Sequence, residues 1–516
     1  MNNIIKKIMK HKYYITIYLI LFVGIMVRIV GISNFPNALN VDEASSGYEA
    51  FSILNYGIDR NGNSMPVFLE AWGSGQNALY SYLLIPFIKI LGLSVFSIRL
   101  PMALLGCLSL FVMYKILEKN TDRKSVIIGT AFFAIVPWHI MKSRWGLESN
   151  IFPDLILFAT YFVIEYIQTK KIRNIYFCGI LLGLSAYSYG TAYFFLPIFV
   201  TMLLIYLNIK EELTIKHCIG MFFTVLLISM PIIIFVIINK FCLEPIKLFC
   251  FTIPILRENR FEIITSIFGK NVLINSLINF VEAIKILLIQ DDRLGFNAFP
   301  LYGITYIVSL PFMIVGIWKA LKSKKSIDWI FNIWFISAFL LLFVVQPNIN
   351  RINIIIIPII YYTIIGIKIC FEKWESIKIL IQIIYISFFI CFEISYFTTD
   401  WNNYYTFTNQ IKDILEYVDT LDTNKIYFEQ SIKEPCIYIC FYNKINTKDF
   451  INLVKYKRDI GFERVESLGK YYFYIPKMKE RNAVYIIKST NEDKYDFKSD
   501  IFHKEYINDF VIIEED

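Results

Sequence analysis

Apolar runs close to the thickness of a bilayer core recur through the first four hundred residues, separated by short polar or basic loops. A helix of about 20 apolar residues crosses the roughly 30 Å hydrocarbon layer. About eleven segments qualify: 13–32, 98–117, 126–140, 153–168, 174–190, 192–209, 217–238, 301–319, 328–346, 352–371 and 377–397. Segment 78–93, "ALYSYLLIPFIKILGL", is shorter and contains Pro86 and Lys89. It reads as an interfacial or re-entrant helix, or else as a short tilted span. From about residue 398 the pattern changes. "NQIKDILEYVDTL" spaces Ile411, Ile414, Leu415 and Val418 at helical period. "NKIYFEQ", "CIYICFY", "KYYFYI" and "AVYIIKS" read as strands, with a helix over "TKDFINLVKYKRD". The expected fold is a polytopic α-helical membrane protein of about eleven to thirteen spans. It comprises a membrane part, 1–397, and a small α/β domain, 398–516.

Charge orients these elements. The leader carries Lys6, Lys7, Lys10 and Lys12, which places the N-terminus in the cytoplasm. It runs into segment 13–32 without a small-residue cleavage site, so that segment reads as an uncleaved first span. With 78–93 not crossing, "EKNTDRKS", "QTKKIR" and "KALKSKKS" all lie inside. Loops 33–97, 141–152 and 239–299 and the C-terminal domain then face outward, at a plasma membrane. The net charge of +8 is accounted for by basic membrane-facing loops and requires no nucleic acid. Four histidines and the absence of a CxxC pair argue against a histidine- or cysteine-based metal site. A disulfide between Cys242 and Cys250 is conceivable in an external loop, though most of the nine cysteines read as small hydrophobes.

Candidate chemistry gathers on the outward side. In "NVDEASSGYEAFSILNYGIDRNG", Asp42 reads as a helix N-cap with Glu43 in the first turn. Gly47, Tyr48, Phe51, Leu54 and Ile58 would line an amphipathic face suited to the membrane surface. The two acids either cap this helix or do chemistry beyond it. "RWGLESN" adds Arg144 and Glu148, and "QPNINRIN" adds Arg351, which could instead snorkel. Gln76 and Asn77 could hydrogen-bond a substrate. Tyr187, Tyr189 and Tyr193 fit an aromatic belt or a sugar-stacking surface. Asp291 and Asp292 read as a solvated turn, and His139 as an interfacial side chain.

The segments "DE…GYEAFSIL..G.DRNG", "GQNALYSYLLIPFIKILGLSVFSIRLP" and "SRWGLESN..P" resemble bacterial membrane glycosyltransferases of the dolichyl-phosphate-mannose protein mannosyltransferase and aminoarabinose transferase superfamily, which have the GT-C fold. The resemblance covers about residues 10–400. It implies an inverting glycosyltransferase that moves a sugar from a polyprenyl-phosphate donor to an acceptor hydroxyl at the outer membrane face. It implies Asp42 as the catalytic carboxylate of the "DE" pair, beside Glu43. Glu148 matches a second acid, where many members carry aspartate. Arg351, then Arg144, match the basic residues that hold the donor phosphate. No cofactor is required; a divalent ion at Asp42 and Glu43 is the less favoured reading. The acceptor, whether glycan, lipid or protein, is not specified. The competing class is a transporter or flippase of a lipid-linked sugar, which would bury ionisable residues near the middle of its spans and often show repeated halves.

Overall fold

The computed structural model describes residues 2–71, 75–257, 265–266, 271–403, 407–459, 462–497 and 502–515. The chain forms two compact units. One comprises Met1–Ile32, Arg99–Ile234 and Arg260–Thr398; the other comprises Ser33–Ile98, Phe235–Asn259 and Thr399–Asp516.

The first unit is helical. Among the described residues of the whole chain, eight helices are long and apolar enough to cross a membrane. A ninth results if Arg123–Ile135 and Pro137–Ser143, bent by 55°, form one broken span. Pro137 explains the break. It removes a backbone donor and forces Val136 into extended geometry, at φ −61° and ψ 123°. Segment 239–299 is not simply an external loop, as its polar interruptions imply. It contains Val272–Ile289, an apolar helix of 18 residues. Asn275, Asn279, Glu282 and Lys285 disguise that helix in the sequence. Segment 174–190 yields only the 13-residue helix Arg173–Ser185. Helix Leu310–Leu321 packs backbone to backbone against Ile356–Lys373. A Cβ on Gly316 would run into the Tyr362 carbonyl, and one on Gly366 into the Phe312 carbonyl. Small residues permit such backbone contact between membrane helices.

The second unit packs helix Val41–Tyr56 against Leu79–Leu91 and Pro435–Tyr442. Contrary to the surface helix that its periodicity implies, Val41–Tyr56 is buried on nearly all sides. Gly47 lets its neighbours close in: a Cβ there would meet Ile98 and Phe441 at 2.9 Å. The Tyr48 hydroxyl donates to the Ile445 carbonyl (3.0 Å), and Ser52 pairs with Thr447 (2.7 Å). A seven-stranded sheet completes the unit, in the order Phe502–Ile507, Phe510–Glu515, Ala483–Lys488, Lys425–Phe428, Tyr471–Tyr472, Phe462–Leu468, Val454–Asp459. Lys425–Phe428 runs parallel to both its neighbours; the other pairs are antiparallel. Two local readings are corrected. "CIYICFY" lies in helix Pro435–Tyr442, whose first-turn proline fixes the start and whose apolar residues are buried all round, erasing the period that separates helix from strand. "TKDFINLVKYKRD" splits into helix Thr447–Leu453 and strand Val454–Asp459.

Candidate functional site

The start of helix Val41–Tyr56 is built by a division of labour. Its N-cap is Asn40, not Asp42. The Asn40 side chain accepts from the Asp42 amide (2.8 Å), and Glu43 Oε2 accepts from the Asn40 amide (3.1 Å). This is a capping box, in which both partners satisfy backbone donors that the helix leaves open. Asn40 and Glu43 are buried, whereas Asp42 is half-buried. The helix end thus takes Glu43 as structure and leaves the Asp42 carboxylate outside the cap.

Several neighbours position this turn. The Tyr438 hydroxyl donates to the Leu39 carbonyl (3.1 Å), and Asn40 bridges to Phe407. Gln76 Nε2 donates to Ser46 Oγ (2.9 Å) and lies 3.5 Å from the Asp42 carbonyl. Asn77 sits in a short strand opposite Phe68. About two helical turns after Asp42, Glu49 pairs with Arg60 Nε (2.9 Å) and accepts from the Arg60 amide (3.0 Å). Burial pushes the Glu49 carboxyl up to about 8, against the pull of Arg60. Asp59 folds the "DRNG" turn by accepting from the Asn61 and Asn63 amides (2.9 and 2.7 Å). Burial lowers the Lys433 ammonium, while Glu434 and Asp42 oppose that shift. Burial likewise raises the Glu434 carboxyl, opposed by Arg464, Arg60 and Lys433.

The remaining candidates fall in the first unit. Glu148 is buried in the 3-10 turn Glu148–Asn150. That turn is tied to the segment carrying Arg351: Asn353 Nδ2 donates to the Ser149 carbonyl (2.8 Å). Arg351 lies in the short helix Ile349–Ile352, capped by Asn348, and is half-buried. Its guanidinium donates to the Gln346 carbonyl (3.0 Å). Asp292 Oδ2 accepts from the Ile349 amide (2.8 Å) and from Asn297 (2.7 Å), so this acid anchors the same segment rather than standing in a solvated turn. Arg144 is buried. It donates to the Val27 carbonyl (2.8 Å) and stacks over Phe397, 4.8 Å from the ring centre. Tyr189 is half-buried in the connection before helix Ala192–Ile209. Asp42, Glu43, Gln76 and Asn77 therefore share one unit, and Arg144, Glu148, Tyr189 and Arg351 the other.

The pattern of apolar runs concealed two further features of the first unit. His139 is not interfacial. It is buried, with Arg28 Nη2 2.8 Å from its Nδ1. Beside it, Lys142 pairs with Asp154 (2.6 Å), and Ser109 donates to the same carboxylate (2.6 Å). Glu393, alone in the apolar run "ICFEISYF", has both carboxylate oxygens buried without a hydrogen-bond partner among the described residues. It feels the charges of Arg144 and Arg28. An isolated acid in an apolar run was the available signal. Among the described residues, no group of three or more histidines, cysteines, aspartates or glutamates is arranged to hold a metal ion. All nine thiols are free, including Cys242 and Cys250.

Comparison with known proteins bears on the fold. The sequence model of the dolichyl-phosphate-mannose-protein mannosyltransferase family matches residues 77–237. ArnT from Cupriavidus metallidurans in the apo state superposes with a TM-score of 0.58, covering 96% of this chain and 97% of that one, at 9% identity. The same protein bound to undecaprenyl phosphate gives 0.57 at 8% identity, with equal coverage. The archaeal oligosaccharyltransferase AglB from Archaeoglobus fulgidus, in complex with an inhibitory peptide and a dolichol-phosphate, gives 0.52 at 12% identity. That match covers 85% of this chain, which spans 64% of the oligosaccharyltransferase. No curated protein sequence matches the chain. The chain thus shares the GT-C fold of these membrane glycosyltransferases, and the resemblance read from its sequence stands.

Proposed function

We propose that this protein is an inverting glycosyltransferase that moves a sugar from a polyprenyl-phosphate donor to an acceptor hydroxyl at the outer face of the plasma membrane. One observation carries the reading. Asn40 and Glu43 form the cap of helix Val41–Tyr56, and the carboxylate expected to be catalytic, Asp42, is half-buried in its first turn. Among the proteins of the same fold, ArnT binds undecaprenyl phosphate and AglB a dolichol-phosphate.

The chemistry follows from the groups. The acceptor hydroxyl is a weak nucleophile at neutral pH and gains from a positioned base. Asp42 takes its proton as the oxygen attacks the anomeric carbon. The bond from that carbon to the phosphate oxygen breaks, and the polyprenyl phosphate leaves with both bonding electrons. One displacement inverts the centre. The leaving phosphate gains negative charge, which a guanidinium stabilises in a bidentate manner. Arg351, half-buried on a capped turn, is assigned that role ahead of Arg144, whose guanidinium is held inside the helix packing. Glu148 remains the second acid. The reaction needs neither sugar nucleotide nor cofactor.

The test is sugar transfer from a panel of labelled polyprenyl-phosphate sugars to an envelope acceptor fraction, by protein in nanodiscs. Transfer that vanishes in Asp42→Asn at unchanged thermal stability supports the reading; equal transfer by both proteins removes Asp42 from it. A second reading, transport of a lipid-linked sugar, draws on the Arg28, His139, Lys142 and Asp154 cluster, since ionisable groups buried among spans are typical of transporters. Flux of labelled donor across liposomes without transfer would favour it.

A further inference from the structure

A cavity of about 600 Å³ lies in the second unit, where segment 430–436 passes over the strands Val454–Asp459 and Phe462–Leu468 and the residues after Tyr472. That volume is within the roughly 300–1,000 Å³ of small-ligand sites. Three cations line it: Lys433, Lys457 and Arg464. Lys457 and Arg464 are direct cross-strand partners in the antiparallel ladder. Like charges placed opposite each other destabilise a sheet. Neither of these two exposed residues meets a carboxylate in an ion pair among the described residues, although Glu434 lies near enough to feel the charge of Arg464. An anion lying between the two cations would relieve their repulsion directly.

The rest of the lining says what kind of anion. Glu434, Glu466 and Tyr474 share the cavity with the cations. Two carboxylates would repel a polyacidic peptide, yet they are strong acceptors for hydroxyl groups. A tyrosine ring offers an apolar face with a polar rim. Cation, hydroxyl acceptor and aromatic face together suit a sugar that carries one negative group.

The cavity also adjoins the candidate base. Segment 430–436 leads into helix Pro435–Tyr442, and about one turn, roughly 5 Å, separates the cavity wall from Tyr438. Tyr438 holds the Leu39 carbonyl, next to the cap that precedes Asp42.

We infer that this cavity is the acceptor subsite and binds an anionic saccharide, its phosphate or carboxylate between Lys457, Arg464 and Lys433 and its ring against Tyr474. The word acceptor rests on the glycosyltransferase reading; the binding does not. The experiment titrates full-length protein in nanodiscs with trehalose 6-phosphate, cellobiouronic acid, their neutral parents trehalose and cellobiose, and a hexaglutamate peptide. Both charged disaccharides are expected to bind, and the tighter one tells phosphate from carboxylate. The double variant Lys457→Gln/Arg464→Gln weakens them by about tenfold or more, as loss of charged hydrogen bonds requires. It keeps or gains thermal stability, because a repulsive pair is removed. Equal binding of charged and neutral sugars overturns the inference. So does unchanged binding by the double variant, or hexaglutamate binding as tightly as the charged sugars. Donor turnover is followed in parallel. Turnover without binding of any probe overturns the subsite and leaves the enzyme. Charge-dependent binding without turnover of any donor overturns the enzyme and leaves the anionic-saccharide site.

Discussion

Replacing Asn40 by alanine and Asp42 by asparagine separates structure from chemistry at neighbouring positions of one helix end. Asn40→Ala leaves the amides of the first turn without their acceptor. An N-cap deletion costs about 1 kcal/mol on average, within a range of ~0.5–2. Here Asn40 and Glu43 are buried, so water cannot replace the lost bond, and an unsatisfied buried group adds ~1–3 kcal/mol. A loss of about 2 kcal/mol is therefore expected. In a unit of roughly two hundred residues, each kcal/mol shifts Tm by ~2–4 °C, giving a fall of about 4–8 °C. Asp42→Asn removes a half-buried charge in the first turn, worth ~0.3–1 kcal/mol through the helix dipole, and Tm should fall by less than about 4 °C. Turnover should show the reverse ranking. Losing a general base costs about 10²–10⁴ in rate, whereas Asn40→Ala, assayed well below its Tm, should stay within roughly tenfold of wild type. The assay pairs thermal unfolding in detergent with sugar transfer in nanodiscs. Asp42→Asn unfolding as early as Asn40→Ala, or Asn40→Ala losing as much turnover as Asp42→Asn, would refute the division of roles.

Other expectations are as concrete. Burial lifts Glu49 from its ordinary 4.5 to about 8, so the folded protein holds this proton more tightly than the unfolded chain does. Its contribution to stability is full below the ordinary carboxylate range and is lost as pH rises toward 8, with a slope of at most ~1.4 kcal/mol per pH unit. Thermal unfolding from about pH 5 to about pH 8 should flatten in Glu49→Gln; an unchanged profile would mean another group titrates. Removing one partner of the buried Lys142 and Asp154 pair should cost ~3–5 kcal/mol, while Lys142→Met with Asp154→Leu should recover much of that loss, as a double-mutant cycle reads. Gly316→Ala must push two helix backbones apart and should cost ~1–3 kcal/mol; an unshifted Tm would mean the helices do not meet there.

The membrane helices were legible because twenty apolar residues leave the backbone few alternatives in lipid. Legibility failed where polar side chains broke the run, as in Val272–Ile289, and where a short segment was apolar on every face, as in "CIYICFY". The first loop failed differently. Its periodicity placed Tyr48 and Phe51 on one face but could not show that Glu49, on the polar face, has a buried partner in Arg60. Nor could it show that Asn40, one residue before the helix, relieves Asp42 of capping. Helix ends are uncertain by a residue or two in any sequence reading, and here that shift changes what the acids are for. If Asp42 were the cap, its side chain would be explained by the fold alone, and a catalytic role would rest on resemblance. The cap is complete without it, and what Asp42 gives the helix is the modest dipole stabilisation of a first-turn acid. Lys457 and Arg464 face each other across the ladder, a pairing of like charges that costs the sheet stability. That pairing marks a place where local stability alone would have chosen otherwise, which is where function is expected to be found.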